Sequence, residues 1–501
     1  YYASVALAED TGPVGSVLVA SPWNFPYAIP GGGVFAALMA GNTVVLKPAP
    51  ETRRIARWLV DQCHAAGIPE SALQYAACPD DDTGRHLITH DAFDTLVLTG
   101  SYDSARLFLR WKPRLRLLAE TSGKNAIVVT EAADQDAAIK DLVKSAFGHA
   151  GQKCSAASLA ILEAPVYDDA DFLARLAAAV RTVRVGPGGD PATIMGPLIA
   201  PPGPDLHRAL TTLDPGEHWL VEPRPLDETG RLWSPGVRVG VGPGSWFHRT
   251  ECFGPVLGLM RADDLHHALD IQNEVAYGLT AGLHSLDPGE IDTWLGVVEA
   301  GNLYVNRHIT GAIVRRQPFG GWKRSSVGGG PKAGGPDYVA AFRRPASVPV
   351  DAGAAAAAYR QAWMERFGIE SDPSALVSEA NIHRYRPLRS VVIRVGADTP
   401  KGAEEAAVAA ATVCRIHRIA VHGPDADDAA LIAELSADPP DRLRLLTEAR
   451  DDVFAACHEH DIAVLTQPVS PDPLAELPLW LHEQSLSLSR HRYGRVPGVD
   501  M

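Results

Sequence analysis

The sequence predicts an α/β protein built on mostly parallel, doubly wound sheets. Three observations carry this. Short apolar, β-branched runs alternate with stretches of helical period, the helical stretches stop at glycine, and the connections between them are short. The alternation recurs along all 501 residues. At about 150 residues per domain, that length accommodates about three units.

Val14–Ala20 (VGSVLVA) reads as a buried strand, and Ser21–Gly33, punctuated by proline and glycine, as a loop. A short Ala-rich helix at Val34–Ala40 is stopped by Gly41-Asn42. Thr43–Leu46 is the next strand, and Arg53–Ala66 an amphipathic helix ending at Gly67. Leu96–Leu98 is a strand running into Thr99-Gly100-Ser101, Asp103–Trp111 a helix and Asn125–Thr130 a strand. The first unit is expected over 1–122. A second α/β unit, 123–345, has a helix at Asp134–Phe147, strands at Ser158–Leu162 and Val256–Met260, and a Gly-rich close at Pro318–Pro336. A linker and helix over 346–375, beginning in the Ala-rich run Pro345–Ala358, lead to a third, smaller Rossmann-like unit with a tail, 376–501. Its strands are expected at Ser390–Val395, Ile416–His422, Arg442–Leu446 and Ile462–Leu465. It has no G-x-G-x-x-G turn, so a second nucleotide site is not supported.

Composition narrows the function classes. At 46% hydrophobic and 21% charged residues the chain can bury large cores. A net charge of −14 and the lack of a Lys/Arg block argue against a nucleic-acid partner. The six cysteines form no CxxC pair, so no metal site is expected and a reducing, cytoplasmic compartment is. No signal peptide and no apolar run of the roughly 18 residues that a membrane span needs is present. The chain opens on Tyr1-Tyr2 and reaches a buried strand within a few residues, from which a longer protein extending upstream is expected.

Four segments carry chemistry: Ser21-Pro22-Trp23-Asn24-Phe25-Pro26, Glu120-Thr121-Ser122-Gly123-Lys124, Gly151-Gln152-Lys153-Cys154-Ser155 and Glu251-Cys252-Phe253-Gly254-Pro255. Singly, each has a bland reading: an inert buried thiol, a solvated carboxylate, a turn-forming Asn. In this order, with 34 residues from Glu120 to Cys154 and 97 from Cys154 to Glu251, they resemble the aldehyde dehydrogenase superfamily over roughly residues 11–345. The chemistry explains the residue types. A thiolate attacks the aldehyde carbonyl, and Cys154 is the candidate. The oxyanion needs preorganised donors, here the Asn24 amide and the Cys154 N–H. After hydride transfer a thioester remains, and Glu120 is the candidate base that activates water against it.

The resemblance also implies a cofactor site. Lys47 matches the residue that holds the adenosine ribose, and Gly100 and Ser101 the helix start facing the pyrophosphate. Glu251 matches the residue on the nicotinamide ribose, and Phe253 packs nearby. Pro50 stands where the family often has a Glu for the ribose 2′-hydroxyl, with Glu51 one further on. Ala105 replaces a second Gly. NAD is favoured and NADP stays open.

For the substrate, Thr310-Gly311-Ala312-Ile313-Val314, Gln317-Pro318-Phe319-Gly320-Gly321, Gly330-Pro331-Lys332-Ala333-Gly334-Gly335-Pro336 and HAGQKCSA at His149–Ala156 resemble the L-glutamate γ-semialdehyde (pyrroline-5-carboxylate) dehydrogenases of proline catabolism. The resemblance implies that Gly311 and Ala312 hold an α-carboxylate through backbone N–H groups, an arrangement that binds anions without a buried cation. It implies that Ser155 assists and that Phe25 and Phe319 flank the aliphatic stem. Gly311-Ala312 as a plain tight turn is the alternative. Arg315 and Arg316 depart from the expected small residues and either reshape the pocket mouth or face solvent.

The tail, His482–Ser487 and Ser489–Gly494, and the segment Asn381–Arg394 resemble bacterial bifunctional proline-catabolic enzymes, which implies an FAD-dependent proline dehydrogenase domain upstream. The tail could equally be a surface helix or a subunit contact. A homo-oligomer is expected. Two other readings stay open: an aldehyde dehydrogenase for another small or acidic aldehyde, and an inactive partial chain whose third unit is a scaffold.

Overall fold

The computed structural model describes residues 1–491. Its first sheet holds five parallel strands, β1 (Ser16–Ala20), β2 (Thr43–Lys47), β3 (Leu73–Tyr75), β4 (Thr95–Thr99) and β5 (Leu117–Glu120), in the order β5-β4-β1-β2-β3. Ser326–Val327 adds antiparallel to the β5 edge, with Ser326 opposite Glu120. The strand order reverses between β1 and β4, and such a reversal opens a crevice at the carboxyl ends of the two strands. Ser21 and Gly100 sit at those ends.

The first helix is longer than the sequence reading expects. α1 spans Ala28–Met39 and absorbs half of the expected loop. Pro30 is tolerated because the first-turn N–H groups have no intrahelical acceptor. Gly33 is needed for approach: a Cβ there would stand 3.3 Å from Val19 on β1. α2 (Arg53–Ala65) and α3 (Tyr102–Trp111) follow β2 and β4. The Ser101 side chain caps α3 by accepting from the Ser104 N–H at 3.1 Å.

The second sheet begins with β6 (Asn125–Val129), then α4 (Gln135–Phe147), β7 (Ala157–Glu163), β8 (His218–Val221), β9 (Gly236–Val239), β10 (Val256–Ala262), β11 (Thr280–His284) and β12 (Asn302–Val305). The chain continues through β13 (Glu379–Pro387), a four-stranded parallel sheet of β14 (Ser390–Arg394), β15 (Arg418–His422), β16 (Arg442–Leu445) and β17 (Ala463–Leu465), and reaches β18 (Leu481–Ser489), the last strand among the described residues.

This differs from the expected division at residue 376. β13 and β18 do not belong to the small third sheet, whose order is β15-β14-β16-β17. They complete a nine-stranded sheet of order β13-β18-β12-β11-β6-β7-β10-β9-β8. β18 lies parallel to β12, with Ser485 opposite Asn302, and antiparallel to β13 from Glu379↔Ser489 to Pro387↔Leu481. The tail is thus a buried strand as far as Ser489, not a surface helix. Its polar side chains hide it from a periodicity reading, yet each has a partner. Gln484 donates to Ala300 O at 2.8 Å, Ser485 to Pro318 O at 2.6 Å and Ser487 to Asn381 Oδ1 at 2.8 Å. Arg492–Gly494 of the tail motif lie outside the described residues. Among the described residues, no helix is long and apolar enough to cross a membrane.

The reversal point of the third sheet, between β14 and β16, is filled by its own side chains. Thr399 Oγ1 accepts from Gly396 N at 2.9 Å and donates to Leu446 O at 3.1 Å, and Thr447 bonds Asp398.

Candidate active site

α4 ends at Phe147, and three consecutive residues then take left-handed backbone: His149 (φ 60°), Ala150 (φ 54°) and Gly151 (φ 67°). For the two non-glycine residues this costs on the order of 1 kcal/mol each. The turn directs the chain so that Cys154 emerges just before β7. It rests on the Glu251–Pro255 loop, because a Cβ on Gly151 would stand 2.2 Å from Gly254 O. Gly151→Ala is therefore expected to destabilise the fold by at least about 1 kcal/mol and to lower turnover with it; chemical denaturation and initial rates read the two effects.

Asn125, which the sequence reading did not single out, fixes the nucleophile's backbone. Its Nδ2 donates to Cys154 O at 2.7 Å and Ala156 O at 2.9 Å, and its Oδ1 accepts from Thr280 N at 3.0 Å. The available signal was an amide opening an otherwise apolar buried strand, NAIVV, where it must find partners.

The four expected segments converge around Cys154. Glu120, at the end of β5, faces the thiol. Burial pushes its carboxyl up from the ordinary value to about 8, against the opposing pull of Lys332 and the Cys154 thiol. Burial likewise raises the Cys154 thiol well above its usual value, and the carboxylates of Glu120 and Glu251 add to this. The N–H groups of Ser155 and Cys154 point at the sulfur and offset part of it. Asn24 is buried, and one of its two amide protons goes to Gln152 O at 3.2 Å. The second is the one that can face a reacting oxygen.

Glu251 Oε1 accepts from Gly123 N at 2.8 Å, tying the second and fourth segments of the site together. Phe253, at φ 52°, meets Trp23 edge-on at 5.7 Å, and Phe25 stacks on His149 at 5.6 Å. At the carboxyl end of β4, beside the end of β5, Gly100 and Ser101 open α3, and Tyr102 N donates to Ser122 Oγ at 3.2 Å. Lys47, buried at the end of β2, donates to Asp80 Oδ1 at 2.6 Å. The sequence reading did not include Asp80. Pro50 opens a short 3-10 turn that contains Glu51, and Ala105 is buried in α3.

Ser155 is buried next to the nucleophile. Gly311 (φ 92°) and Ala312 are exposed on the loop after β12. That loop is fastened at Ile313, whose N–H donates to Gln317 Oε1 at 3.1 Å and whose carbonyl accepts from Gln317 N at 2.8 Å. Arg315 lies over the Tyr1 ring at 5.6 Å and Arg316 pairs with Glu379 at 3.5 Å, so both arginines have partners within the chain. Phe319 pairs through its backbone with Ala333 and lines a cavity of about 1030 Å³ that reaches Glu120.

Comparison with known proteins agrees with this geometry. The chain is 38% identical over 338 residues to a 1-pyrroline-5-carboxylate dehydrogenase of Geobacillus kaustophilus, covering 65% of this chain and 64% of that protein. The structure resembles Proline Utilization A (PutA) from Corynebacterium freiburgense, with a TM-score of 0.88 and 45% identity over 97% of this chain and 51% of that one. It also resembles 1-pyrroline-5-carboxylate dehydrogenase from Thermus with bound NAD, with a TM-score of 0.62 and 32% identity over 68% of each chain. The chain thus spans just under two thirds of that Geobacillus relative and about half of that PutA chain. The family model described as "Aldehyde dehydrogenase family" matches residues 4–348, and the chain belongs to the aldehyde dehydrogenase family.

Proposed function

We propose that the chain oxidises L-glutamate γ-semialdehyde to L-glutamate with NAD, in proline catabolism. The observation that carries this is the convergence of Glu120 and Cys154 with Asn24, which is tied to Gln152 two residues before the nucleophile; the exposed loop residues Gly311 and Ala312 keep two N–H groups that donate to no other group among the described residues. The named relatives support the substrate class. The NAD-bound Thermus structure supports the cofactor.

The residues of the first sheet fit NAD. Lys47, Gly100 and Ser101 stand at the carboxyl ends of β2 and β4, the two strands that flank β1, and Glu251 and Phe253 lie on the side of Cys154. When bound, NAD supplies the hydride acceptor. The rest of the chemistry belongs to the chain. Glu120 takes the thiol proton, the Cys154 sulfur bonds the carbonyl carbon, and the Asn24 amide and the Cys154 N–H hold the oxyanion. Glu120 passes the thiol proton to solvent, and once the carbon is oxidised the re-ionised carboxylate takes a proton from water as it adds to the thioester; the carbon–sulfur bond breaks with its electron pair returning to Cys154, and glutamate leaves. Phe25 and Phe319 flank the stem, Ser155 supports the carboxylate end, and Gly311 and Ala312 bind the α-carboxylate.

The test compares NADH formation on glutamate semialdehyde with that on an unsubstituted aliphatic aldehyde of equal length. A site that holds the carboxylate prefers the former in kcat/KM by at least about 10²-fold; equal turnover removes the anchor role of Gly311-Ala312.

Asp80 bears on the cofactor. Its carboxylate at Lys47 would lie against a ribose 2′-phosphate, so it favours NAD over NADP. Asp80 is largely exposed, so screening limits the effect. Asp80→Asn is expected to raise kcat/KM with NADP by about three- to tenfold and to leave NAD within about twofold; initial rates with each cofactor decide.

The same reading places the chain in the cytoplasm, as six free cysteines suit a reducing compartment. It assigns an FAD-dependent proline dehydrogenase unit as the source of the semialdehyde, in keeping with the likeness to PutA. A homo-oligomer is part of it, for light scattering to test.

A further inference from the structure

The Gly-rich motif ending in Lys332 and the tail motif around Glu483 are 151 residues apart in sequence, and neither has a role in the chemistry above. The structure brings them together beside Glu120. Lys332 is 4% exposed. Its Nζ donates to Gly301 O at 3.0 Å and Gly320 O at 2.5 Å. Two neutral carbonyls thus take two of its three protons, and its charged neighbours are the carboxylates of Glu483 and Glu120. Glu483, on β18, is also buried. Its Oε1 accepts from the Lys332 N–H at 3.4 Å, and its Oε2 is 2.9 Å from His383 Nε2 on β13. Glu120, Lys332 and Glu483 line one cavity.

We propose that Lys332, held in place by its contact with Glu483, is a positioning residue for Glu120: its ammonium favours ionisation of the carboxyl, so that β13 and β18, which lie beyond the family match at residues 4–348, take part in preparing the catalytic base. The proposal rests on the reading of Glu120 as the base.

The physical need is plain. A carboxylate sealed from water holds its proton and is useless as a base unless a cation answers it. The groups facing Glu120 are the Cys154 thiol from the loop before β7, and Lys332 and Tyr338 from the segment after Ser326–Val327. Among the described residues, Lys332 is the one cation that acts on Glu120. Burial draws the Lys332 ammonium down to about 7, while Glu483 and Glu120 hold it up. On its far side, Glu483 meets His383, Asp337, Tyr385, Arg366 and Arg442. Lys332 and Glu120 each shift the other toward its charged form, against the burial that disfavours both charges. Take away either the ammonium or the carboxylate that sustains it, and Glu120 keeps its proton to higher pH.

The experiment uses the full chain and an activated ester, p-nitrophenyl acetate, which needs neither aldehyde nor cofactor. The burst of nitrophenol counts reactive Cys154, and the steady rate between pH 6 and 10 reports hydrolysis of the acyl group. In Lys332→Met, the acid limb of the steady rate is expected to move up by about one unit, with hydrolysis near pH 7 about tenfold slower. Lys332→Arg, which keeps the charge, returns most of that shift. Glu483→Gln leaves Lys332 and its two carbonyl contacts in place and moves the limb in the same direction by about half a unit; it serves if Lys332→Met does not fold. The proposal is overturned if variants that retain a burst keep the wild-type limb, or if their rate falls equally at every pH, as a purely structural role would have it. A wild-type chain with no burst removes the reading of Cys154 as nucleophile, and this inference with it.

Discussion

Replacing Cys154 with alanine is expected to abolish aldehyde oxidation, with a loss of at least about 10⁴-fold in kcat, and to abolish the nitrophenol burst with it. The size follows from what is removed. No other thiol stands at the site: Cys252 is buried beside Lys124, and Cys63, Cys78, Cys414 and Cys457 lie in or against the cores. The oxyanion donors alone would hold the aldehyde but cannot form the covalent bond that splits the reaction in two. The substitution removes one sulfur from a partly buried position and leaves the Asn125 contacts to Cys154 O and Ala156 O in place. Thermal melting and NAD titration should therefore match the unsubstituted chain while turnover vanishes. Retained oxidation would overturn the assignment of the nucleophile.

Glu120→Gln should separate the two halves of the reaction. Thioester hydrolysis is expected to slow by about 10²–10⁴-fold, so that NADH appears as one equivalent per chain and then nearly stops. Acylation survives at alkaline pH for an electrostatic reason. The Glu120 carboxylate is one of the groups that raise the Cys154 thiol, so its loss lets the thiolate form at lower pH. In the unsubstituted chain the sign is fixed by the base. Glu120 is pushed up to about 8, must be ionised to act, and so hydrolysis climbs as pH rises through about 8 and falls below it. That limb should disappear in Glu120→Gln. Rapid-quench measurement of the acyl-enzyme across pH checks both statements.

Much of the chemistry was legible because it is local. Trp23-Asn24-Phe25, Glu120, Cys154 and Glu251-Cys252-Phe253 sit in short runs whose order alone marks the family. β1, β2 and β4 of the first sheet and the four strands of the third were legible as short runs between turn residues, whereas β3 and β5, of three and four residues, were not read. What stayed hidden was set by tertiary partners. Pro30 and Gly31–Gly33 read as loop, but a first-turn proline and a helix pressed on Val19 reverse that reading. Gln484, Ser485 and Ser487 read as surface, but each hydrogen-bonds across the nine-stranded sheet. Asn125, Asp80 and Lys332 act through groups far away in sequence, and nothing adjacent to them signals it.

The placement of β18 has a consequence for how the protein comes into being. Its partner β12 leaves the ribosome about 180 residues earlier, which at 5–20 residues per second is roughly 10–40 s. During that interval the edge of β12, wholly buried in the finished protein, carries open backbone donors and acceptors, the kind of edge on which nascent chains associate wrongly. The strand that closes it is made long after β12, and it also brings Glu483 to Lys332. Synthesis therefore delivers the seal of the sheet and a charge near the base in one event, and a chain translated only as far as β17 has neither.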